Sequence, residues 1–467
     1  MNAARTLFAE HALLPTGWHQ NVLLEWNALG ELTLVQPDAK TSEPVATCAG
    51  PLLPGMPNLH SHAFQRAFAG LTEHRGPGAG QDSFWSWREL MYQFAGRISP
   101  AQLRDIATAL YAEMLEAGYT SVCEFHYVHH EEDGKPYADD TTLSNCLIEA
   151  ASSTGIGMTL LPVLYQSSGF GAKPPTEGQR RFVRQTDNML QLLQRLKPLC
   201  EAQGMRLGLA PHSLRAVPPD ALDRAIEGLT DLDPTAPIHI HIAEQTAEVD
   251  ACLAWSGQRP VQWLLNHAPV DPRWCLVHAT HMNAEETLRA ASSGAIAGIC
   301  PTTEANLGDG IFDATAWRAH GGRWGIGSDS HVCVNAAEEL MQFEYSQRLG
   351  LRQRNVLASA QQPSVATAMT QEAVAGGGQA CGRNVAGLQV GQRMDAVTLD
   401  AQHPVLAALP TPELRHSAHV FASHRQSAIH SVWVGGQLRV KSGQHDLRES
   451  SQRAFAQARR ALLQSSP

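Results

Sequence analysis

Pro54-Gly55-Met56-Pro57-Asn58-Leu59-His60-Ser61-His62 is an apolar run that ends in His-x-His. Side chains on a strand alternate between faces, so His60 and His62 emerge on the same side. Two imidazoles at the end of a buried strand can hold a divalent cation without rearranging the backbone. Three later runs end in ligand-type side chains as well: His241 in Pro237-Ile-His-Ile-His, His278 in Cys275-Leu-Val-His, and Asp329 in Gly325-Ile-Gly-Ser-Asp. One His-x-His alone carries little weight; four such strand ends in one chain are hard to produce by accident. His239, one step from His241 in phase, points to the opposite face and is assigned a structural role.

These runs belong to a longer series. Apolar stretches recur at 51–59, 119–125, 156–165, 205–211, 237–243, 274–279, 295–300 and 323–328. Helical patterns separate most of them, as at Pro100–Ala117, Gln179–Ala202, Pro218–Leu229 and Ala284–Ser293. Eight strand–helix alternations predict the α/β class and a (β/α)8 TIM barrel over 51–385, a fold whose chemistry sits at the C-terminal strand ends. Short β segments at Thr6–Leu14, Val22–Trp26 and Glu31–Val35 find counterparts at Met394–Leu399 and in a hairpin turning at Gly435-Gly436. Neither terminal piece can bury a core alone. Residues 1–50 and 386–448 are therefore expected to meet in one small β-sandwich domain, followed by an amphipathic helix within 449–467.

The chain has 467 residues, 43% hydrophobic and 17% charged, with a net charge of −10, which suits a globular enzyme rather than a disordered segment. No Lys/Arg run stands out, so nucleic acid and anionic membrane are not expected partners. No apolar stretch approaches the roughly 20 residues that span a bilayer. Nine cysteines, odd in number and without a CxxC pair, read as reduced thiols, and residues 1–20 carry no apolar leader; a cytoplasmic enzyme is the expectation.

His60, His62, His241 and Asp329 make a set of three nitrogens and one carboxylate that leaves a position open for water. A bound cation lowers the pKa of that water from about 16 to about 7, and Asp329 can also take its proton. The fourth strand, Met205-Arg-Leu-Gly-Leu-Ala-Pro-His-Ser, ends without the lysine that bridges two metals in many barrels, so one metal is expected. Zinc is the first candidate, with iron(II) the other. Glu244, three residues past His241, is placed to shuttle protons, and His278 to stabilise developing charge.

Taken together, Pro54–His62, His241-Ile-Ala-Glu-Gln, Val277-His-Ala-Thr and Gly327-Ser-Asp-Ser resemble the amidohydrolase superfamily in its aminohydrolase branch. Gly387-Leu-Gln-Val-Gly-Gln-Arg-Met-Asp-Ala is similar to that superfamily's return into its terminal β domain. More narrowly, His60-Ser-His-Ala-Phe-Gln-Arg-Ala, Ser83-Phe-Trp-Ser-Trp-Arg and Ala210-Pro-His-Ser-Leu-Arg resemble its deiminases of N-formimino-L-glutamate. The resemblance implies hydrolysis of a linear amidine C–N bond, giving N-formyl-L-glutamate and ammonia in histidine degradation, and it implies a homodimer. It places the metal on His60, His62, His241 and Asp329, and the acid–base work on Glu244 and His278.

Charge logic adds to it. A small dicarboxylate substrate needs fixed cations, and Arg88, in an aromatic loop after the first strand, and Arg215, past the fourth, can fork its carboxylates. By resemblance Gln65, Tyr127 and His212 join them. Phe84, Trp85 and Trp87 suit an apolar wall or lid and, equally, packing on the barrel rim. Two other readings stay open: a deaminase of a purine or other heterocycle, sharing every metal ligand, and a catalytically silent barrel serving as a scaffold.

Overall fold

In the computed structural model, residues 5–40, 45–74, 84–423 and 426–464 are described, with the side chains of 84–86 left aside. The eight apolar runs are all strands: Met56–Ser61, Tyr119–His126, Gly157–Leu164, a broken pair Arg206–Leu207 and Ala210–Pro211, then Ile238–Ile242, Trp274–His278, Ile296–Ile299 and Arg323–Ile326. Their pairings are parallel throughout, in two sheets. Isolated parallel bridges close both seams: Leu209 to Ile238 and Ser213 to His241 on one side, Ser61 to Asp329 on the other. Leu59, Cys275, Val277, Ile296, Cys300 and Ala380 make a separate buried cluster.

The seams decide where the chemistry goes. Asp329 N–H donates to His60 O at 3.0 Å and His62 N–H to Asp329 O at 3.3 Å. Asn58 bolts the same seam, donating to Ser328 Oγ at 2.6 Å while accepting from Ser328 N–H at 3.1 Å. At the other seam His241 N–H donates to His212 O at 3.0 Å. Residues far apart in sequence are thus brought into register by barrel closure itself.

The terminal strands join the short strand Leu52–Pro54 in one eight-stranded mixed sheet. That sheet curls back on itself: Leu32 N–H donates to Gln392 O at 2.7 Å and Gly391 N–H to Leu32 O at 2.9 Å. Leu7, Leu24, Leu52, Leu388 and Met394 fill a second small core inside the curl. The last helix runs Arg448–Gln464 and anchors through Arg459, whose guanidinium donates to Ala69 O at 2.8 Å.

Two helix expectations need correction. The pattern at 179–202 yields a helix only over Thr186–Ala202. Ahead of it the chain makes only a 3-10 turn at Glu177–Gln179 and then bonds to neighbouring loops, Arg181 O accepting from His129 N–H at 2.9 Å and Arg184 N–H donating to Tyr165 O at 3.0 Å. Arg88 lies in a helix, Phe84–Ala95, not in a loop. That helix packs Trp87 and Phe94 on Phe68, at centroid distances of 5.8 and 5.4 Å. Ser83 and the side chains of Phe84 and Trp85 lie outside the described residues; Trp87, the third of the expected aromatics, both packs on Phe68 and lines the pocket.

The helix Val365–Ala380 can lie against the strands because it carries Gly376-Gly377-Gly378. A Cβ on Gly376 would sit 1.9 Å from Trp324 O, and one on Gly377 2.9 Å from Pro57 Cβ. Gly376→Ala is expected to cost at least the roughly 1–3 kcal/mol of an overpacked core. Urea unfolding with a lowered midpoint would show it; an unchanged midpoint would mean that the helix does not approach so closely.

Candidate metal centre and active site

Period-2 alternation turns His60 and His62 inward and Ser61 outward. Ser61 Oγ donates to Glu124 Oε2 at 2.6 Å, and Glu124 Oε1 accepts from Ala63 N–H at 2.7 Å, which fixes the turn that follows the strand. His60 Nε2 lies 3.1 Å from His62 Nε2 and 2.9 Å from His241 Nε2. Asp329 Oδ1 stands 3.4 Å from His60 Nε2 and 3.3 Å from His62 Nε2. The four predicted ligands converge. His239 faces the other way, 2.8 Å from Ala380 O, in the structural role expected of it.

Backbone carbonyls settle the tautomers. His62 Nδ1 lies 2.9 Å from Phe125 O and His241 Nδ1 3.1 Å from His212 O. A carbonyl only accepts, so both rings carry their proton on Nδ1 and turn an Nε2 lone pair inward. Burial also disfavours imidazolium, pushing His60 down to about 3 and His241 well below the ordinary value. Two lone pairs and a carboxylate oxygen packed beside a third imidazole repel one another unless a cation lies among them. The donor set therefore fits a divalent metal, with the ring orientation already fixed by the outer carbonyls.

Glu244 and His278 face the same space. Glu244 Oε1 is 3.8 Å from His278 Nε2, and Asp329 Oδ2 is 3.9 Å from it. Burial raises the Glu244 carboxyl above its usual range, while His278 and Arg215 pull against the shift. Burial would lower His278, yet the carboxylates of Glu244, Glu304 and Asp329 outweigh it and raise the ring to about 10. Glu304 Oε1, 3.2 Å from His278 Nδ1 and bonded to Cys300 N–H at 2.8 Å, fixes the imidazole's orientation. Backbone strain gathers here: Ala243, His278, Ala279, Asp329 and His331 are non-glycine residues with φ between +45° and +66°. Each costs of order 1 kcal/mol or more and persists only where the surroundings impose it.

A pocket opens in front of this centre. All five expected substrate residues, Gln65, Arg88, Tyr127, His212 and Arg215, line it together with His62, His241, Glu244, His278 and Asp329. Fully buried His60 supports them from behind. Gln65 Nε2 donates to Tyr127 Oη at 2.8 Å, and Glu248 Oε1 stands 3.9 Å from Arg215 Nε while Oε2 accepts from Glu244 N–H at 3.2 Å. Sequence reasoning missed Glu304, Glu124 and Glu248, which act through neighbours and belong to no motif. It also missed Tyr92, Tyr165 and Phe182 on the pocket wall; aromatic residues after strands were the one available signal.

The family model described as "Amidohydrolase family" matches residues 52–439. The chain belongs to the amidohydrolase family. This amidohydrolase is thus a metal-dependent hydrolase, as its imidazole–carboxylate cluster suggests. It is 52% identical over 458 residues to the Pseudomonas aeruginosa protein named formimidoylglutamate deiminase, covering 98% of this chain and 99% of that one. The crystal structure of an amidohydrolase from Brucella melitensis superposes with a TM-score of 0.92 at 47% identity, covering 98% of this chain and 99% of its own. An adenosine deaminase from Xanthomonas campestris, with bound zinc, shares the fold at a TM-score of 0.77 and 20% identity, over 98% of each chain. No helix among the described residues is long and apolar enough to cross a membrane.

Proposed function

We propose that this amidohydrolase converts N-formimino-L-glutamate and water to N-formyl-L-glutamate and ammonia, in the histidine-degrading cytoplasm. The observation that carries the reading is one pocket holding the imidazole–carboxylate cluster, a buried Glu244 and two arginines. The end-to-end likeness to a formimidoylglutamate deiminase supports it, and nine free cysteines suit a reducing compartment.

His60, His62, His241 and Asp329 would hold one divalent cation, zinc by the nitrogen-rich set, with iron(II) the other metal such ligands suit. When bound, that ion supplies Lewis acidity that makes water nucleophilic at neutral pH. Glu244 takes a proton from the attacking water and gives it to the imine nitrogen, then carries the hydroxyl proton of the tetrahedral adduct to the same nitrogen, so that ammonia leaves as the formyl C=O forms. His278, oriented by Glu304, offers Nε2–H to the charge that develops at the reacting carbon's substituents. Arg88 and Arg215 fork the substrate carboxylates, while Gln65, Tyr127 and His212 fix its backbone.

Ammonia release from a panel of formimino-amino acids, guanine and cytosine tests the reading; no release from N-formimino-L-glutamate by metal-loaded enzyme would end it. Arg215→Gln separates a dicarboxylate enzyme from a deaminase of a neutral ring. Losing a buried charge partner costs about 3–5 kcal/mol, so kcat/KM for N-formimino-L-glutamate should fall by roughly 10²–10⁴-fold. A variant that keeps its kcat/KM would favour the neutral-ring alternative.

A further inference from the structure

Beyond the arginines, the far wall of the pocket holds a pair of phenols whose arrangement has a consequence for recognition. Thr176 N–H donates to Gln179 Oε1 at 2.8 Å. A backbone N–H can only donate, so this bond assigns the amide's orientation, and Nε2 is the atom that faces Tyr92 and Tyr165. It donates to Tyr165 Oη at 2.7 Å and to Tyr92 Oη at 3.0 Å. Both phenol oxygens are thereby acceptors toward Gln179, and both O–H protons must point elsewhere. The two phenols can satisfy at most one of those protons between themselves. At least one is left for a ligand in the pocket that both rings line.

Position gives the chemistry of that ligand. Rings step outward from the metal centre, His241 to His212 at 4.9 Å and His212 to Tyr165 at 4.8 Å. Tyr92 carries the Arg88 guanidinium over its face, with Cζ 5.5 Å from the ring centroid. The ring is pressed on Gly178, where a Cβ would come within 3.0 Å of Tyr92 Cδ2. Arg181, fully buried in the same segment, donates to Ala95 O at 2.6 Å and Ile98 O at 2.9 Å, capping the helix that bears Tyr92 and Arg88. Donors beside a fixed cation, remote from the reacting end, match an anion with several acceptor oxygens.

We propose that Tyr92 and Tyr165 are substrate-specificity residues, donating to one carboxylate beside Arg88, and that Gln179 is the positioning residue that aims their protons. The inference deepens the proposed function and rests on it for the identity of the dicarboxylate. The 3-10 turn Glu177–Gln179 and the non-helical stretch that follows it bring Gln179 to the far wall and Arg181 to the end of the helix bearing Tyr92.

The test measures binding of N-formyl-L-glutamate to metal-loaded enzyme by calorimetry, beside N-formyl-4-aminobutyrate and N-formylnorvaline, which each lack a different carboxylate. Tyr92→Phe and Tyr165→Phe together should weaken N-formyl-L-glutamate about 10–100-fold, as for a lost charge-assisted hydrogen bond. They should weaken one truncated ligand equally and leave the other unchanged. Gln179→Glu keeps the shape but turns a donor into an acceptor that draws the phenol protons to itself, and should raise KM about 10-fold or more with kcat within a few-fold. Gln179→Met, which accepts no phenol proton, should do less. Unchanged affinities in the phenol variants, or equal losses for all three ligands, would overturn the inference. Failure of the deiminase reading has a different signature: selective binding of N-formyl-L-glutamate with no ammonia released from its formimino counterpart.

Discussion

Glu244→Gln lowers kcat by about 10²–10⁴-fold while metal content and substrate affinity stay near those of the unchanged enzyme. The amide has the volume of the carboxyl, and the local backbone is held independently of the side chain, Glu244 N–H donating to Glu248 Oε2 at 3.2 Å. Nothing that folds the site is therefore removed. What is removed is the proton. The carboxyl is buried, raised above its usual range, and 3.8 Å from His278 Nε2, so it can hold a proton between its removal from water and its delivery to nitrogen. Gln cannot do either. His278→Asn should cost a comparable factor, and the double variant little more than the worse single one, because groups that serve one transfer are not additive. Single-turnover kinetics with separately determined substrate affinity reads the effect; a Glu244→Gln enzyme within threefold of normal kcat would remove Glu244 from the chemistry.

The architecture could be read from the chain because a parallel strand buried on both faces is an unbroken apolar run, and eight such runs kept their order and nearly their ends. Ligand residues were legible for a related reason: they stand at or beside the C-terminal end of each run, as His60, His241, His278 and Asp329 all do. Closure of the barrel then does the rest, through bridges such as Ser61 to Asp329 that no local pattern encodes. Residues that work at second hand left no such mark. Glu304 sits in the short helix Pro301–Leu307 and Glu248 within the helix Thr246–Ser256, where an acidic residue near an N-terminus ordinarily reads as a cap or dipole partner. Arg181 and Gln179 were hidden by a helical spacing that tertiary contacts override. Arg88 was expected in a loop because its neighbours are aromatic, and those aromatics turned out to be one face of a helix packed on Phe68.

Asp329→Asn strips the enzyme of its metal-dependent activity and its metal-dependent stability together. Asp329 sits at φ +45°, a left-handed conformation that Asn tolerates nearly as well, so the backbone bonds to His60 and His62 survive the change. Charge is what disappears. Three imidazoles remain, two with their Nδ1 held by Phe125 O and His212 O, and no anion offsets the dication. An outer-shell partner is worth about 10–100-fold in metal affinity, and a direct ligand should be worth more. Metal at a hundred times its Kd stabilises the folded form by about 2.7 kcal/mol through mass action. Dialysis against a chelator should therefore lower the unfolding temperature of the unchanged enzyme, and zinc should restore it. For Asp329→Asn both steps should move the transition little, with substoichiometric metal by elemental analysis. If the variant retained one equivalent of metal and the full thermal response, the carboxylate would lie outside the coordination set, and the convergence of these four side chains would need another cause.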